Sequence, residues 1–501
     1  MDMGDDETHI VIIGTGFAGL GMAIRLKQEG IDDFVVLEKA DDVGGTWREN
    51  TYPGVQCDVP SHLYSFSFAP NPDWTRTFPL GDEIRAYLRD CAHRYGVLPH
   101  IRFGREVRSA EWDDDAQRWT LETSDETLTA QILVAGTGPL HEPSIPDLPG
   151  LDGFEGRAYH SAQWDHTHDL KNERVAVVGT GASAIQLIPR IQPDVSELTV
   201  FQRTPPWVVP HNDRPITPLE KRVYETLPAA QLAMRAGIYW GRETFALGFI
   251  DTRFAKLPEA MARRHIKKHV PDPELRRKVT PSYTIGCKRV LISNDYYPAL
   301  MQPNVELVTD GIAEVRPHAI VTADGTEHEV DTIIFGTGFH VTDPPAAEVV
   351  RGRDGRTLAE TWDGSMQAHR GTTIAGFPNL FFLVGPNTGL GHNSIVFMIE
   401  SQLNYVLDAL RTMDARGAAS LDVRPEAQAA FNERIQAQLR KTVWNSGGCS
   451  SWYLDRNGRN STLWPGFTWP FRRLLRHFDP EHYDLRAPAP AHAPEPVPAA
   501  T

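Results

Sequence analysis

His9-Ile10-Val11-Ile12-Ile13-Gly14-Thr15-Gly16-Phe17-Ala18-Gly19 is a β-branched run that breaks into a glycine turn. A helical pattern follows to Glu29, and a second β run occupies Asp33 to Glu38. The same grammar recurs where Arg174-Val175-Ala176-Val177-Val178 enters Gly179-Thr180-Gly181-Ala182-Ser183-Ala184, continues as a helix to about Ile191, and returns as Glu197 to Gln202. A lone GxGxxG is weak evidence, but two copies in matching strand-turn-helix-strand context point to two dinucleotide folds on one chain. The first glycine of each (Gly14, Gly179) permits the tight turn. The second (Gly16, Gly181) lets a pyrophosphate approach the backbone at the helix N-terminus, and the third position (Gly19, Ala184) lets helix pack on strand. Phe17, Thr180 and Ser183 lie in the same turns and count as candidate cofactor-binding residues.

Equivalent places in the two units carry opposite charges. Gly16 to Glu38 is an offset of 22 residues, and so is Gly181 to Arg203. A carboxylate at the end of the second strand accepts hydrogen bonds from a ribose diol and repels a phosphate, whereas a guanidinium binds a 2′-phosphate. The first unit, with Glu38 and the adjoining Lys39, suits the AMP half of FAD; the second, with Arg203 and Thr204, suits NADPH.

Working outward, the expected fold is α/β: two Rossmann-like dinucleotide-binding domains, with a helical insertion in the second. Residues 1–148 form the first part of the FAD domain and 149–330 the NADPH domain, whose pattern turns helical between about 211 and 270. Residues 331–485 return to the FAD domain. Ile132 to Gly138 and Thr332 to Gly338 both read as strands ending in glycine turns, where the chain crosses between domains. From 486 to 501, five prolines and six alanines in sixteen residues describe a disordered tail.

Composition excludes several classes. With 65 acidic against 50 basic residues, the net charge of −15 repels a nucleic-acid backbone, and no basic stripe interleaved with aromatics overcomes it. No apolar run approaches the roughly 20 residues of a membrane span. The opening MDMGDDET is acidic where a secretory signal is basic, so a cytoplasmic location is expected. Cys57, Cys91, Cys287 and Cys449 are far apart, with no CxxC and no metal-ligand spacing; they read as scattered thiols, with neither a disulfide framework nor a metal site.

Two further motifs carry a family resemblance. Phe154-Glu155-Gly156-Arg157-Ala158-Tyr159-His160-Ser161-Ala162-Gln163-Trp164-Asp165 matches FxGxxxHxxxW(P/D), and Gly44-Gly45-Thr46-Trp47, Tyr52-Pro53-Gly54 and Asp58 match GGxW…(Y/F)PGxxxD. Here the chain resembles the flavin-dependent Baeyer–Villiger monooxygenases over nearly its whole length, including Gly286-Cys287-Lys288-Arg289, which matches the family's GxKR segment. The resemblance implies FAD and NADPH as cofactors, and a ketone and O2 as substrates. One oxygen atom would be inserted next to the carbonyl, through a C4a-peroxyflavin, to give an ester or lactone. Arg289 would be the active-site arginine, Asp58 its carboxylate partner, and Lys288 a second cation on the 2′-phosphate. Gly45, Thr46 and Trp47 would lie near the flavin, with the crossing glycines Gly138 and Gly338 and with Asn387 of Gly385 to Ser394; Trp452 would close over NADP+. His160 is assigned to domain coupling. The C-terminal loop, Ser451 to Asn460, departs from the SWxxGANxPGK of the well-known cyclic-ketone oxidisers, which leaves the substrate open.

Alternatives are a flavin-containing monooxygenase acting on amines or sulfides, against which Trp164 weighs, and a non-catalytic NADPH-binding sensor. A disulfide reductase needs a closely spaced cysteine pair that the sequence lacks. The sequence is silent on oligomeric state.

Overall fold

The computed structural model describes residues 7–449 and 451–488. Strand β1 (Glu7–Ile13) runs into helix α1 (Phe17–Gln28) and strand β2 (Phe34–Glu38). β1 pairs in parallel with β2 and with β3 (Thr127–Ala135), and antiparallel strands Val107–Asp113 and Arg118–Thr123 extend the sheet beyond β3. The apolar residues of β1 and β2 face both layers and are nearly all buried, as a parallel sheet covered on two sides requires.

The second sheet is wholly parallel. Strands β4 (Arg157–His160), β5 (Arg174–Val178), β6 (Glu197–Phe201), β7 (Val305–Val308) and β8 (Thr332–Phe335) lie in the spatial order β7, β6, β5, β8, β4. Helix α2 (Ala182–Ile191) follows β5. Because β8 sits between β5 and β4, with Thr332 opposite Val175, the chain leaves this sheet after Phe335 and not at 330. Thr332–Phe335 and Ile132–Ala135 are both predominantly apolar, so their composition does not say which sheet each joins.

The chain then returns to the first sheet, where strand β9 (Leu380–Phe382) pairs with β3, and the 22-residue helix Ile395–Arg416 packs against α1. The two crossing segments run side by side: Ser144 N donates to Gly338 O, Thr337 Oγ1 to Ser144 O, and His340 N to Glu142 O.

Two other boundaries and one cysteine reading differ from expectation. The insertion's helices span Pro218 to Val279, past 270, and include the 16-residue helix Pro228–Glu243. Arg486 ends a strand, Tyr483–Arg486, that pairs with Ser420–Val423, so it belongs to the fold; residues 489–501 of the expected tail lie outside the described residues. Cys287 and Cys449 form a disulfide across a sequence separation of 162. The loop after 446 folds back onto the Gly286–Arg289 segment, a meeting that spacing alone does not reveal. Cys57 and Cys91 are buried free thiols.

Candidate active site at the domain junction

Each nucleotide turn is built by glycines pressed against backbone. A Cβ on Gly19 would stand 1.9 Å from Gly14 O, so helix and turn meet only through glycine. In the second unit the room comes from the neighbour: Gly336 lies against Ala184, and Gly179 (φ +110°) against Gly336 O. Helices α1 and α2 begin at Gly16 and Gly181 with no side-chain cap, leaving their first-turn N–H groups to an anion.

Glu38 is buried at the end of β2. Its Oε2 accepts from Thr15 N (3.0 Å) and Oγ1 (2.5 Å), and Oε1 accepts from Ala40 N and meets Arg48 at 3.0 Å. Burial alone would raise its pKa, but Thr15 and Arg48 hold it below the usual range. Arg48, half-buried beside it, carries no motif that marks it in the sequence. Lys39 is engaged with Glu142 at 2.7 Å on the surface.

Gly45 (φ +52°) places the Thr46-Trp47 turn against the first glycine loop: its Cβ would lie 2.8 Å from Gly16 Cα. Trp47 Nε1 donates to Tyr64 OH at 3.2 Å, and Phe17 packs edge-on to the same tyrosine, so both aromatics sit in the core beneath this turn.

The Tyr52-Pro53-Gly54 turn crosses to the second domain. Tyr52 OH donates to Gln186 Oε1, and Gly54 (φ +85°) rests on α2, where a Cβ would come within 2.8 Å of Gln186 O. This anchor carries Asp58 to the junction. Arg289, just before the short strand Leu291–Ile292, donates from Nε (2.9 Å) and Nη2 (2.5 Å) to Asp58 Oδ2. Although burial opposes charge on Asp58, Arg289 keeps its pKa below the ordinary carboxylate value. Asp58 in turn raises that of Arg289.

Burial, and after it the charge of Arg203, lowers the Lys288 pKa, and Lys288 Nζ lies 5.6 Å from the centroid of the Tyr283 ring. Among the described residues neither cation has an acidic partner. Thr204 O accepts from Thr180 Oγ1, which ties the 203–204 turn to the second glycine loop. His160, fully buried at the end of β4, accepts at Nδ1 from Ala162 N and packs edge-on against Phe339 of the returning crossing segment. Burial pushes it down to about 4, which keeps it neutral at pH 7.

The Gly385–Ser394 segment is strapped to the C-terminal loop. Asn387 Nδ2 donates to Asn460 O and Leu463 O, while its buried Oδ1 has no partner. Trp452 is 46% exposed and packs against Tyr453. Tyr453 itself is buried with an unpartnered hydroxyl, and burial raises its pKa to about 12.

Arg242, from the insertion, went unmarked in the sequence. Its Nη2 donates to Asp58 O and its Nε to His392 O, both at 3.0 Å, and it lines one small cavity with Asp58 and Arg289. Its position after Trp240-Gly241 matches no motif, and only the fold brings it to the junction. Elsewhere, His369 and His482 converge on Asp479, but Arg370 already supplies the positive charge at the same oxygen, 2.7 Å away.

A family model described as pyridine nucleotide-disulphide oxidoreductase matches residues 11–236, which span both glycine turns. A Baeyer-Villiger monooxygenase of Streptomyces coelicolor is 54% identical, covering 97% of this chain and 94% of its own. The chain belongs to the Baeyer–Villiger monooxygenase family. A family member from Pseudomonas aeruginosa is 53% identical, over 95% of this chain and 91% of its own. Among solved structures, cyclohexanone monooxygenase from Rhodococcus sp. Phi1 bound to NADP+ has a TM-score of 0.85 at 30% identity, covering 97% of this chain and all of that one. The Baeyer–Villiger assignment also accounts for the oxidoreductase match, which covers shared nucleotide folds and leaves out both cysteines of the disulfide.

Proposed function

We propose that this chain uses FAD and NADPH to insert one oxygen atom of O2 next to a ketone carbonyl, giving an ester or lactone. The observation that carries the reading is the Arg289 guanidinium clamped on Asp58 where the two nucleotide units meet.

The donor set fits both cofactors. The uncapped start of α1 and the Gly16–Gly45 contact leave space and N–H groups for a pyrophosphate, and Glu38 stands at the ribose end. The orphaned Asn387 Oδ1 offers an acceptor to a ring N–H in the segment before helix Ile395–Arg416. The uncapped start of α2, with Arg203, Thr204 and Lys288, suits NADPH, and Ser183 lies in that helix's first turn. When bound, the flavin supplies hydride acceptance and oxygen activation.

The protein's own contribution is electrostatic. Arg289 remains charged and stabilises negative charge on oxygen during addition to the carbonyl, and Asp58 fixes its orientation beforehand. Val59, Val290, Ile292 and Leu390 contribute the apolar part of the cavity lining beside Asp58, Arg242 and Arg289. Dependence on NADPH, regenerated by cytoplasmic metabolism, supports a cytoplasmic location.

The test is to reduce the purified holoenzyme with NADPH without oxygen, admit oxygenated buffer, and supply a ketone panel or a sulfide panel. Ketone-dependent product with a mass gain of one oxygen supports the proposal. Oxygen transfer to sulfides or amines alone would replace it with the flavin-containing monooxygenase reading.

A further inference from the structure

Arg242 closes the helix Pro228–Glu243 and reaches the junction from the insertion. Two of its five N–H donors are taken by backbone carbonyls, Asp58 O and His392 O. Among the described residues no carboxylate lies within ion-pair distance of it, and Nη1 has no protein partner. The next residue, Glu243, accepts from Asn393 Nδ2, Thr468 Oγ1 and Thr468 N, so this end of the helix is fixed by three hydrogen bonds from two residues.

The cavity shared by Arg242, Asp58 and Arg289 therefore holds two guanidinium groups against one carboxylate, with Val59, Val290, Ile292 and Leu390 also in its lining. Burial disfavours the Arg242 charge, and Asp58 only partly compensates. A desolvated cation without a counter-ion is costly, and such costs concentrate where a ligand or transition state supplies the missing negative charge.

We propose that Arg242 is a second catalytic guanidinium, whose unpartnered Nη1 donates to the carbonyl oxygen of the bound ketone while Nε and Nη2 hold the Asp58 turn and the 391–393 loop around it. As the attacking oxygen bonds to the carbonyl carbon, the C=O π pair moves onto the carbonyl oxygen. That pair returns when the adduct collapses to ester or lactone: the migrating carbon's bond shifts from the carbonyl carbon to the inserted oxygen as the O–O bond breaks, and the far oxygen leaves with that bond's pair, takes up protons and ends as water. Arg242 keeps its proton throughout and stabilises the negative oxygen between the two steps. Arg289 remains tied to Asp58, so the two arginines serve different oxygens. This inference rests on the ketone reading above.

The experiment compares wild-type holoenzyme with Arg242→Met and Arg242→Lys, using the ketone that the wild type oxygenates fastest and its ester or lactone product. Flavin content and the rate of flavin reduction by NADPH should stay within twofold of wild type. In Arg242→Met the ketone KM should rise at least tenfold and the NADPH coupled to product should fall at least tenfold. The product Kd, read without oxygen from bound-flavin absorbance, should weaken at least tenfold, and Arg242→Lys should recover part of each loss. KM, coupling and product Kd all within twofold of wild type in Arg242→Met would overturn the assignment, as would loss of flavin from both variants. If only the Met variant loses flavin, the Lys variant decides: a product Kd weakened at least fivefold supports the assignment, and an unchanged one overturns it. A wild type that oxygenates no ketone defeats the underlying reading instead, which separates the two failures.

Discussion

Arg289 closes on a single carboxylate oxygen of Asp58, with Nε at 2.9 Å and Nη2 at 2.5 Å, across 231 residues of sequence. Asp58 belongs to the loop anchored on α2 by Gly54, and Arg289 to the segment bridged to the C-terminal loop by Cys287. Removing the carboxylate leaves the guanidinium charged but free to swing. Asp58→Asn should therefore lower ketone oxygenation by a factor of about 10² to 10³ while leaving flavin content unchanged. Steady-state product formation together with the absorbance of bound flavin checks this.

The charge of Arg203 lowers the Lys288 pKa, and neither cation has an acidic partner among the described residues, an arrangement that a 2′-phosphate relieves. Arg203→Ala should raise the KM for NADPH about tenfold or more, corresponding to loss of a charge-assisted contact, and change that for NADH little. An equal effect on both coenzymes would place the guanidinium elsewhere.

The parts of this site that are legible in sequence are those set by short local offsets. Gly14 to Gly19, Gly179 to Ala184, Glu38 and Arg203 each follow from one strand-turn-helix-strand unit. Asp58 and Arg289 each sit in a short motif. Arg242, the Cys287–Cys449 bridge and the place of Thr332–Phe335 depend on which distant segment arrives as neighbour. An arginine near the end of an amphipathic helix looks like a surface residue until the fold turns it onto Asp58. The same applies to Lys39, next to Glu38 in sequence but drawn to Glu142 by the crossing segment.

The disulfide has a direct chemical readout. In denaturant and without reductant, two thiols, Cys57 and Cys91, should titrate; after reduction, all four cysteines should. Because the bridge ties the segment bearing Lys288 and Arg289 to the loop bearing Trp452, Cys449→Ser should raise the KM for NADPH and lower the melting temperature. Cross-linking so long a loop is worth about 3–5 kcal/mol in the chain-entropy account. Four titrating thiols before reduction would refute the bridge.

Asp422 sets a pH dependence of unusual sign. It is buried on strand Ser420–Val423 opposite Asp484, accepts from Gly376 N at 3.0 Å, and meets Arg353 at 3.2 Å. Burial outweighs these contacts and pushes its pKa up to about 6. Between the unfolded value of about 4 and the folded value, the folded protein binds more protons than the unfolded chain. This group therefore subtracts stability as pH rises through that window. Asp422→Asn, which keeps an acceptor for Gly376 N–H, should raise the melting temperature at pH 7 and change it little at pH 4, with a gain of up to about 2 kcal/mol. Melting curves at the two pH values decide, and a variant less stable at pH 7 would mean that Arg353 holds Asp422 ionised.

Gly19 and Ala184 occupy the same position in the two nucleotide units but tolerate different atoms. A Cβ on Gly19 would stand 1.9 Å from Gly14 O, a backbone atom that cannot yield without opening the turn, whereas Ala184 already places its Cβ 3.1 Å from where a Cβ on Gly336 would lie. Gly19→Ala should therefore abolish flavin retention, because the turn that presents the N–H groups of α1 is displaced. Ala184→Gly should leave coenzyme binding intact and cost only the roughly 1 kcal/mol of a glycine in a helix. Flavin absorbance of the purified variants and their NADPH titrations test both halves. If Gly19→Ala kept its flavin, the close contact between α1 and the first turn would not be what shapes the FAD site.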